Sequence, residues 1–445
     1  MTAQHELRFD LMPGGKLTGR IAVPGDKSIS HRAVMLSAIA DGESRISGFL
    51  EGADSLATLK AFRQLGVVIE GPDLGQLLVR GVGLHGLRPA RAPLDMGNSG
   101  TSMRLLTGLL SGQYFASELV GDPSLTRRPM RRVTEPLAEM GARITTSAEG
   151  TAPLLLQAAE GLRGIRYAMP VASAQVKSSV LLAGLYAQGE TCVIEPAPTR
   201  DHTERMLRAF GYAVHQDGAC ICVRGGQRLS GGTIAVPGDI SSAAFFLIGA
   251  SIAADSDLTL TGVGVNPTRT GVIEILKAMG AEIDLLNPRE QGGEPVADLH
   301  VRAAALKGIR IPTELVPLAI DEFPAIFIAA ACAEGETLLR GAEELRVKES
   351  DRIQSMAKGL QALGVEAEPL PDGMRILGGS SLGNAFQGGS VDSHGDHRVA
   401  MAFAMAALRA SAPIEVRNCA NVNTSFPRYA ALAAEAGLEI VERYD

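Results

Sequence analysis

Val23-Pro24-Gly25-Asp26-Lys27-Ser28-Ile29-Ser30-His31-Arg32, followed directly by the apolar run 33–40, is the stretch around which this chain is organised. A β-branched residue leads into a Pro-Gly turn, and a lysine and a serine stand where a helix should begin. That helix is unusually apolar, carrying Val34, Met35, Leu36, Ala38 and Ile39. The stretch reads as strand, polar loop and buried helix. Ser28 is placed to act as N-cap, and the free N–H groups of the first turn, with the helix dipole behind them, favour an anion. Lys27 and Arg32 add full charges to that partial one, which points to phosphate.

The same design recurs five more times. Gly97-Asn98-Ser99-Gly100-Thr101-Ser102-Met103-Arg104 and Ser173-Ala174-Gln175-Val176-Lys177 each precede an apolar helix. Later copies are Val236-Pro237-Gly238-Asp239-Ile240-Ser241-Ser242, Ile320-Asp321-Glu322-Phe323-Pro324 and His394-Gly395-Asp396-His397-Arg398. Their spacing of roughly 70 residues suits one supersecondary unit each. Copies one and four share the words Ala-Val-Pro-Gly-Asp.

With 445 residues the chain is long enough for about two or three domains and a large interior. Only 4% of it is aromatic and it has no tryptophan, so its layers must pack through small aliphatic side chains, as α/β layers do. A net charge of −7 argues against a nucleic-acid or anionic-membrane surface, although a basic cleft can sit inside an acidic protein. Five cysteines, Cys192, Cys220, Cys222, Cys332 and Cys419, show no C-x-x-C pair and read as reduced intracellular thiols. Cys220 and Cys222 share a face of a strand-like segment. The first ten residues, with Glu6, Arg8 and Asp10, lack a signal or transit composition, and the apolar run 325–333 is far short of a membrane span. A cytoplasmic protein is expected, with no membrane or nucleic-acid partner.

Residues 1–19 read as a lone strand (Leu7, Phe9, Leu11) and a Gly14-Gly15 turn. Each repeat then carries a second, amphipathic helix, at 56–65, 130–140, 203–210, 270–279, 351–363 and 429–436. Gly66, Gly141, Gly211, Gly280, Gly364 and Gly437 follow them, where a left-handed C′ residue stops a helix. Six β-α-β-α-β units with room for one more strand divide into two groups of three near residue 232. Two α/β domains are therefore expected, 20–232 and 1–19 plus 233–445, with the buried helices aiming their positively polarised ends into an interdomain cleft that opens and closes.

Lys27, Arg32, Arg104, Arg128, Arg200, Lys348, Arg352 and Arg398 all fall at expected loop ends or first helical turns. In Val347-Lys348-Glu349-Ser350-Asp351-Arg352, Lys348 and Arg352 are four apart and share a helical face, with Glu349 between them. Such a carboxylate is either a structural ion pair or an acid/base group beside an anionic substrate. Thr126-Arg127-Arg128-Pro129-Met130 puts proline at a first helical position; the arginines there are a solvated face or a bidentate anion clamp. The histidines of Asp392-Ser393-His394-Gly395-Asp396-His397 sit in a turn without a third distant ligand, so no metal is expected.

Gly25-Asp26-Lys27-Ser28-Ile29-Ser30-His31-Arg32, Gly97-Asn98-Ser99-Gly100-Thr101, Arg128-Pro129-Met130, Ser173-Ala174-Gln175, Arg346-Val347-Lys348-Glu349-Ser350-Asp351-Arg352 and Asp396-His397-Arg398 together resemble the 5-enolpyruvylshikimate-3-phosphate synthase family, in order from about residue 7 to 430. The resemblance implies a two-domain inside-out α/β barrel of six βαβαββ-type repeats, joined by two crossover segments. It implies transfer of the enolpyruvyl group of phosphoenolpyruvate to the 5-hydroxyl of shikimate 3-phosphate with release of phosphate, in the shikimate pathway. Lys27, Ser28, Arg32, Ser173, Ala174, Gln175, Arg200, Asp321 and Lys348 would then hold shikimate 3-phosphate. Lys27, Gly100, Arg128, Gln175, Arg352 and Arg398 would hold phosphoenolpyruvate. Asp321 would take the hydroxyl proton, and Glu349 and Lys27 would handle the methylene proton, without metal or organic cofactor.

Leu105 and Thr424, where many relatives have proline and a phosphoenolpyruvate-binding lysine, look like the divergent class II subgroup and remove the lysine clamp at 424. Gly100 has no side chain, so glyphosate, a phosphoenolpyruvate mimic, is expected to compete. A monomer is expected. The nearest rival, UDP-N-acetylglucosamine enolpyruvyl transferase, carries a cysteine in the loop aligned with 121–128; Gly121-Asp122-Pro123-Ser124-Leu125-Thr126-Arg127-Arg128 has none. A non-catalytic phosphometabolite-binding or RNA-binding repeat protein is the reading from another class.

Overall fold

A computed structural model of the chain describes residues 7–379 and 383–444. Its repeats are six modules, one sheet to each. The second module shows the pattern. Strand Leu94–Asp95 leads to a buried helix Gly100–Leu110, strand Ser117–Val120 pairs parallel with the first, an amphipathic helix Arg131–Glu139 follows, and strands Ile144–Thr145 and Leu154–Leu156 close the sheet antiparallel. Parallel neighbours need a crossover, and the buried helix is that crossover.

The six buried helices are α1 (Lys27–Ile39), α2 (Gly100–Leu110), α3 (Ala174–Gly184), α4 (Ile240–Ile252), α5 (Phe323–Cys332) and α6 (His397–Ala406). Every residue of α4, α5 and α6 is buried, as nearly all-apolar helices must be, and α6 buries His397 and Arg398 at its start as well. The amphipathic helices stop where the glycines stand. Gly66, Gly141, Gly211, Gly280, Gly364 and Gly437 have φ of 88°, 100°, 80°, 100°, 83° and 118°, the left-handed conformation that glycine alone adopts without strain.

The chain divides into two compact units, each with its own core. The first unit comprises Gly25–Pro237 and Glu290–Glu294; the second comprises Met1–Pro24, Gly238–Arg289 and Pro295–Asp445. The chain changes unit at Pro24–Gly25 and Pro237–Gly238, a few residues past the 20 and 232 of the sequence reading. Modules one and four have exchanged their first strands. Thr18–Ile21, which precedes α1, pairs parallel with Asp257–Gly264 after α4, and Thr233–Ala235, which precedes α4, pairs parallel with Asp41–Ser47 after α1. Within the first unit Asp26 N–H donates to Pro237 O at 2.8 Å, and within the second Asp239 N–H donates to Pro24 O at 2.9 Å. A Cβ on Gly25 would lie 1.8 Å from Gly48 O, so this turn tolerates only glycine.

Four local expectations are corrected. The N-cap of α1 is Asp26, which accepts from Ile29 N–H at 2.9 Å, and Ser28 sits one residue inside the helix; Asp26 lies where its oxygen reaches the third N–H of the turn. Pro129 precedes its helix, which starts at Arg131. Strand Leu7–Leu11 is not alone: it pairs antiparallel with Ile414–Arg417 and Ile440–Tyr444, and residues 1–6 of the expected strand lie outside the described residues. Cys192 and Cys222 form a disulfide, because the antiparallel register sets them opposite each other with Cα atoms 4.1 Å apart. A separation of 30 residues gave no sign of that register.

Helices α1 and α2, and α2 and α3, pack together in the first unit, and all pairs of α4, α5 and α6 in the second. The approach is close because small residues face each other. A Cβ on Gly108 of α2 would stand 2.1 Å from the Ser179 carbonyl oxygen of α3. Gly108→Ala should therefore destabilise the first unit by about 1–3 kcal/mol through overpacking, read as a lowered urea midpoint; an unchanged midpoint would show that α2 and α3 can move apart freely.

Candidate active site

In the first unit the first turns of α1, α2 and α3 are tied to one another by side chains. Arg32, buried on α1, donates from Nε to Thr203 Oγ1 and from Nη2 to Ser178 Oγ of α3, both at 2.7 Å, and from Nη1 to Ser28 O at 2.9 Å. Burial lowers its guanidinium to about 10; neighbouring Glu204 and Asp26 oppose the shift and Arg200 adds to it. Arg32 stays charged at neutral pH, and the repulsion it feels from Arg200 is of the kind a bound anion would offset. Lys27, the first residue of α1, holds Nζ 3.1 Å from Asp54 Oδ2.

The second cluster of this unit surrounds Gly100, the first residue of α2, behind its N-cap Ser99. Arg104 Nη1 donates to Gln175 Oε1 at 2.7 Å, Gln175 Nε2 donates to Thr101 Oγ1 at 3.1 Å, and Arg128 Nη2 donates to Asn98 Oδ1 at 2.7 Å. A Cβ on Gly100 would meet Arg104 Nη1 at 2.8 Å and Arg128 Nη1 at 3.2 Å. Both guanidinium groups thus close over the open end of a helix, a cradle for an anion. Ser173 caps α3, leaving Ala174 and Gln175 as its first two residues. Arg200 stands half-buried just before helix His202–Ala209.

In the second unit Asp321, two residues before α5, gathers the cations. Arg352 Nη1 lies 3.2 Å and Lys348 Nζ 3.7 Å from its Oδ1, Arg398 Nη2 lies 3.9 Å from Oδ2, and Arg398 Nη1 donates to its carbonyl at 3.1 Å. Arg352, 1% exposed, also pairs with Glu349 Oε2 at 2.6 Å and Asp396 Oδ2 at 2.8 Å. Burial by itself disfavours its charge, but Asp396, Glu349 and Asp321 outweigh that and hold it protonated far above the ordinary range. Asp321, Lys348, Glu349, Arg352 and Arg398 are thus in one cluster. Lys348 and Arg352 reach it without sharing a helical face: the helix Arg352–Ala362 begins at Arg352, capped by Asp351, and Lys348 ends a short 3₁₀ turn. Thr424 turns its hydroxyl onto Asn421 O at 2.6 Å.

Three residues escaped the substrate assignments. In the sequence Arg104 reads only as one cation among several, yet it lies beside Gly100 and Gln175. Lys177, 1% exposed, pins Glu204 at 2.7 Å, Glu195 at 3.0 Å and Thr199 O at 3.4 Å, and so anchors the segment carrying Arg200. Arg269 donates to Ser241 Oγ at 2.7 Å and lies 3.4 Å from Asp239, holding the start of α4. Arg104 could have been found by its place one turn after a loop glycine; the other two carry no local signal.

Fold and clusters define the class: an α/β protein of two three-module units, each with cations gathered at the starts of its buried helices. A family model described as EPSP synthase (3-phosphoshikimate 1-carboxyvinyltransferase) matches residues 11–432. Relatives named 3-phosphoshikimate 1-carboxyvinyltransferase include one from Alkalilimnicola ehrlichii, 67% identical over 98% of this chain and 96% of its own, and one from Methylococcus capsulatus, 66% identical over 97% and 98%. The solved EPSP synthase of Acinetobacter baumannii superposes with a TM-score of 0.90 at 55% identity, covering 98% of this chain and all of that one. The chain belongs to the EPSP synthase family.

His31, wholly buried, has Nδ1 2.8 Å from Thr58 Oγ1 and 3.4 Å from Ser102 Oγ of α2. Burial, with Lys27 and Arg32 beside it, lowers its pKa from 6.5 to about 3. The folded state therefore binds fewer protons than the unfolded one between those values. The stability this contributes is present above pH 6.5 and falls with pH, at up to about 1.4 kcal/mol per pH unit. His31→Gln should flatten the fall measured by denaturant unfolding between about pH 7 and about pH 5; parallel curves for the two proteins would refute it.

Proposed function

We propose that the residues of these clusters divide the two substrates of one enolpyruvyl transfer between them. The chain transfers the enolpyruvyl group of phosphoenolpyruvate to shikimate 3-phosphate and releases phosphate, a step of aromatic amino acid biosynthesis by the shikimate pathway. One observation carries the residue assignments: the Asp321 carboxylate is surrounded by Lys348, Arg352 and Arg398, with Glu349 bridging to Arg352. Acid/base groups and fixed cations are what this chemistry needs side by side.

Shikimate 3-phosphate is held by Lys27, Ser28, Arg32, Ser173, Ala174, Gln175 and Arg200, with Asp321 and Lys348 at its ring hydroxyls. Phosphoenolpyruvate takes Lys27, Gly100, Arg128, Gln175, Arg352 and Arg398. Arg104, bonded to Gln175, positions that amide. Protonation at the methylene carbon makes the adjacent carbon cationic; the 5-hydroxyl attacks it and gives up its proton to Asp321, forming a tetrahedral ketal. The methylene proton comes from Glu349 or Lys27, and return of a methyl proton to that group, with cleavage of the C–O bond to phosphate, forms the enol ether product. The cations stabilise the charge gathering on the leaving phosphate. Action as a monomer in the cytoplasm and competition by glyphosate belong to the same reading.

Phosphate release tests it. Turnover is expected with shikimate 3-phosphate as acceptor and none with UDP-N-acetylglucosamine. Lys27→Ala and Glu349→Ala should each lower kcat by a factor on the order of 100 or more, and normal turnover in both would remove these residues from the chemistry. Gly100→Ala pushes on the mobile ends of Arg104 and Arg128, not on backbone, so the fold should persist while KM for phosphoenolpyruvate rises and glyphosate inhibition weakens. A glyphosate inhibition constant far above that KM in the unaltered protein would rule out effective competition.

A further inference from the structure

Three cysteines and a histidine share one face of the third-module sheet, outside both substrate clusters. Its strands are ordered Arg166–Ala168, Glu190–Ile194, Cys220–Arg224, Val214–Asp217. Ile221 and Val223 point into the core, so Cys220 and Cys222 point the other way. Cys192 lies opposite Cys222 on one neighbouring strand and His215 opposite it on the other, which puts both on that same face. The three sulfur atoms lie within 4.8 Å of one another, and Cys220 Sγ is 3.7 Å from Cys222 Sγ. In a tetrahedral zinc site with Zn–S bonds of about 2.3 Å, sulfur atoms are about 3.8 Å apart. Cys220 and Cys222 already have that separation.

We propose that the chain, with Cys192–Cys222 reduced, binds a thiophilic divalent cation of the zinc class through Cys192, Cys220 and Cys222, with the imidazole of His215 as fourth ligand. The donor set suits zinc, since three thiolates and a neutral imidazole make a closed tetrahedral structural site. A dithiol reductant passes two electrons to the Cys192–Cys222 bond, breaking it to two thiols, and itself closes to a cyclic disulfide. Binding then displaces three thiol protons and leaves a complex of net charge −1. The ion joins strands 190–194, 220–224 and 214–217. A disulfide oxidant that accepts two electrons from the Cys192 and Cys222 thiolates, and is itself cleaved to two thiolates, reforms the Cys192–Cys222 bond, removes two ligands and releases the ion.

Cobalt(II) is the probe, added without oxygen to the full chain reduced by a phosphine, with circular dichroism recording the fold. The reduced chain should take up one cobalt with an intense thiolate-to-metal absorption band that zinc abolishes, and the disulfide form should give none. Cys220→Ser, at a half-buried position that accepts a hydroxyl, should weaken binding on the order of ten-fold or more, and His215→Ala should alter the ligand-field bands. A reduced chain that gives no band, folded or not, overturns the site. So does a Cys220→Ser protein that binds cobalt as tightly as the original.

Discussion

A helix whose sides are buried has chiefly its leading end to offer polar partners, and that constraint shapes each module. Asp26, Ser99, Ser173, Asp239 and Asp396 cap five of the six buried helices with a side-chain oxygen. The exception is α5, whose start has no side-chain cap and carries proline in its first turn. It is also the helix that follows Asp321, the centre of the cationic cluster. The polar ends of otherwise apolar helices are thus the places where a unit can present both partial and full positive charge.

Those charges are costly to bury, and the packing shows how the cost is met. Arg352 is paired with Asp396 and Glu349 as well as Asp321, and Lys177 lies between Glu195 and Glu204. Removing one partner from such a buried group leaves an uncompensated charge, which holds the geometry more firmly than the net worth of any single pair suggests. A net charge of −7 is therefore no guide to the ligand.

Modularity and exchange work together in this fold. In modules two, three and six the sheet has a strand on either side of the buried helix, module five has only isolated bridges in place of its first strand, and modules one and four have traded their first strands, so the Val-Pro-Gly-Asp words fall where the chain passes from one unit to the other. Glycine is required there by close backbone approach, as at Gly25, and not by φ. The tip 290–294 is counted with the first unit, where Glu294 accepts from His202 at 2.7 Å.

The amino-acid sequence by itself determined the six modules, their apolar helices and the glycines that end the amphipathic ones, because these depend on patterns within one helix or turn. It also carried the motifs by which Lys27, Gly100, Arg128, Asp321, Glu349, Arg352 and Arg398 were singled out. Only the tertiary structure decided which of them meet: that Arg104 bonds Gln175, that Lys177 anchors the segment of Arg200, and that Lys348 and Arg352 reach Asp321 from different backbone conformations. Strand register likewise set Cys192 against Cys222 and exchanged Thr18–Ile21 for Thr233–Ala235. Such pairings join residues tens to hundreds of positions apart, and the packing of whole elements places them, so no local pattern carries them.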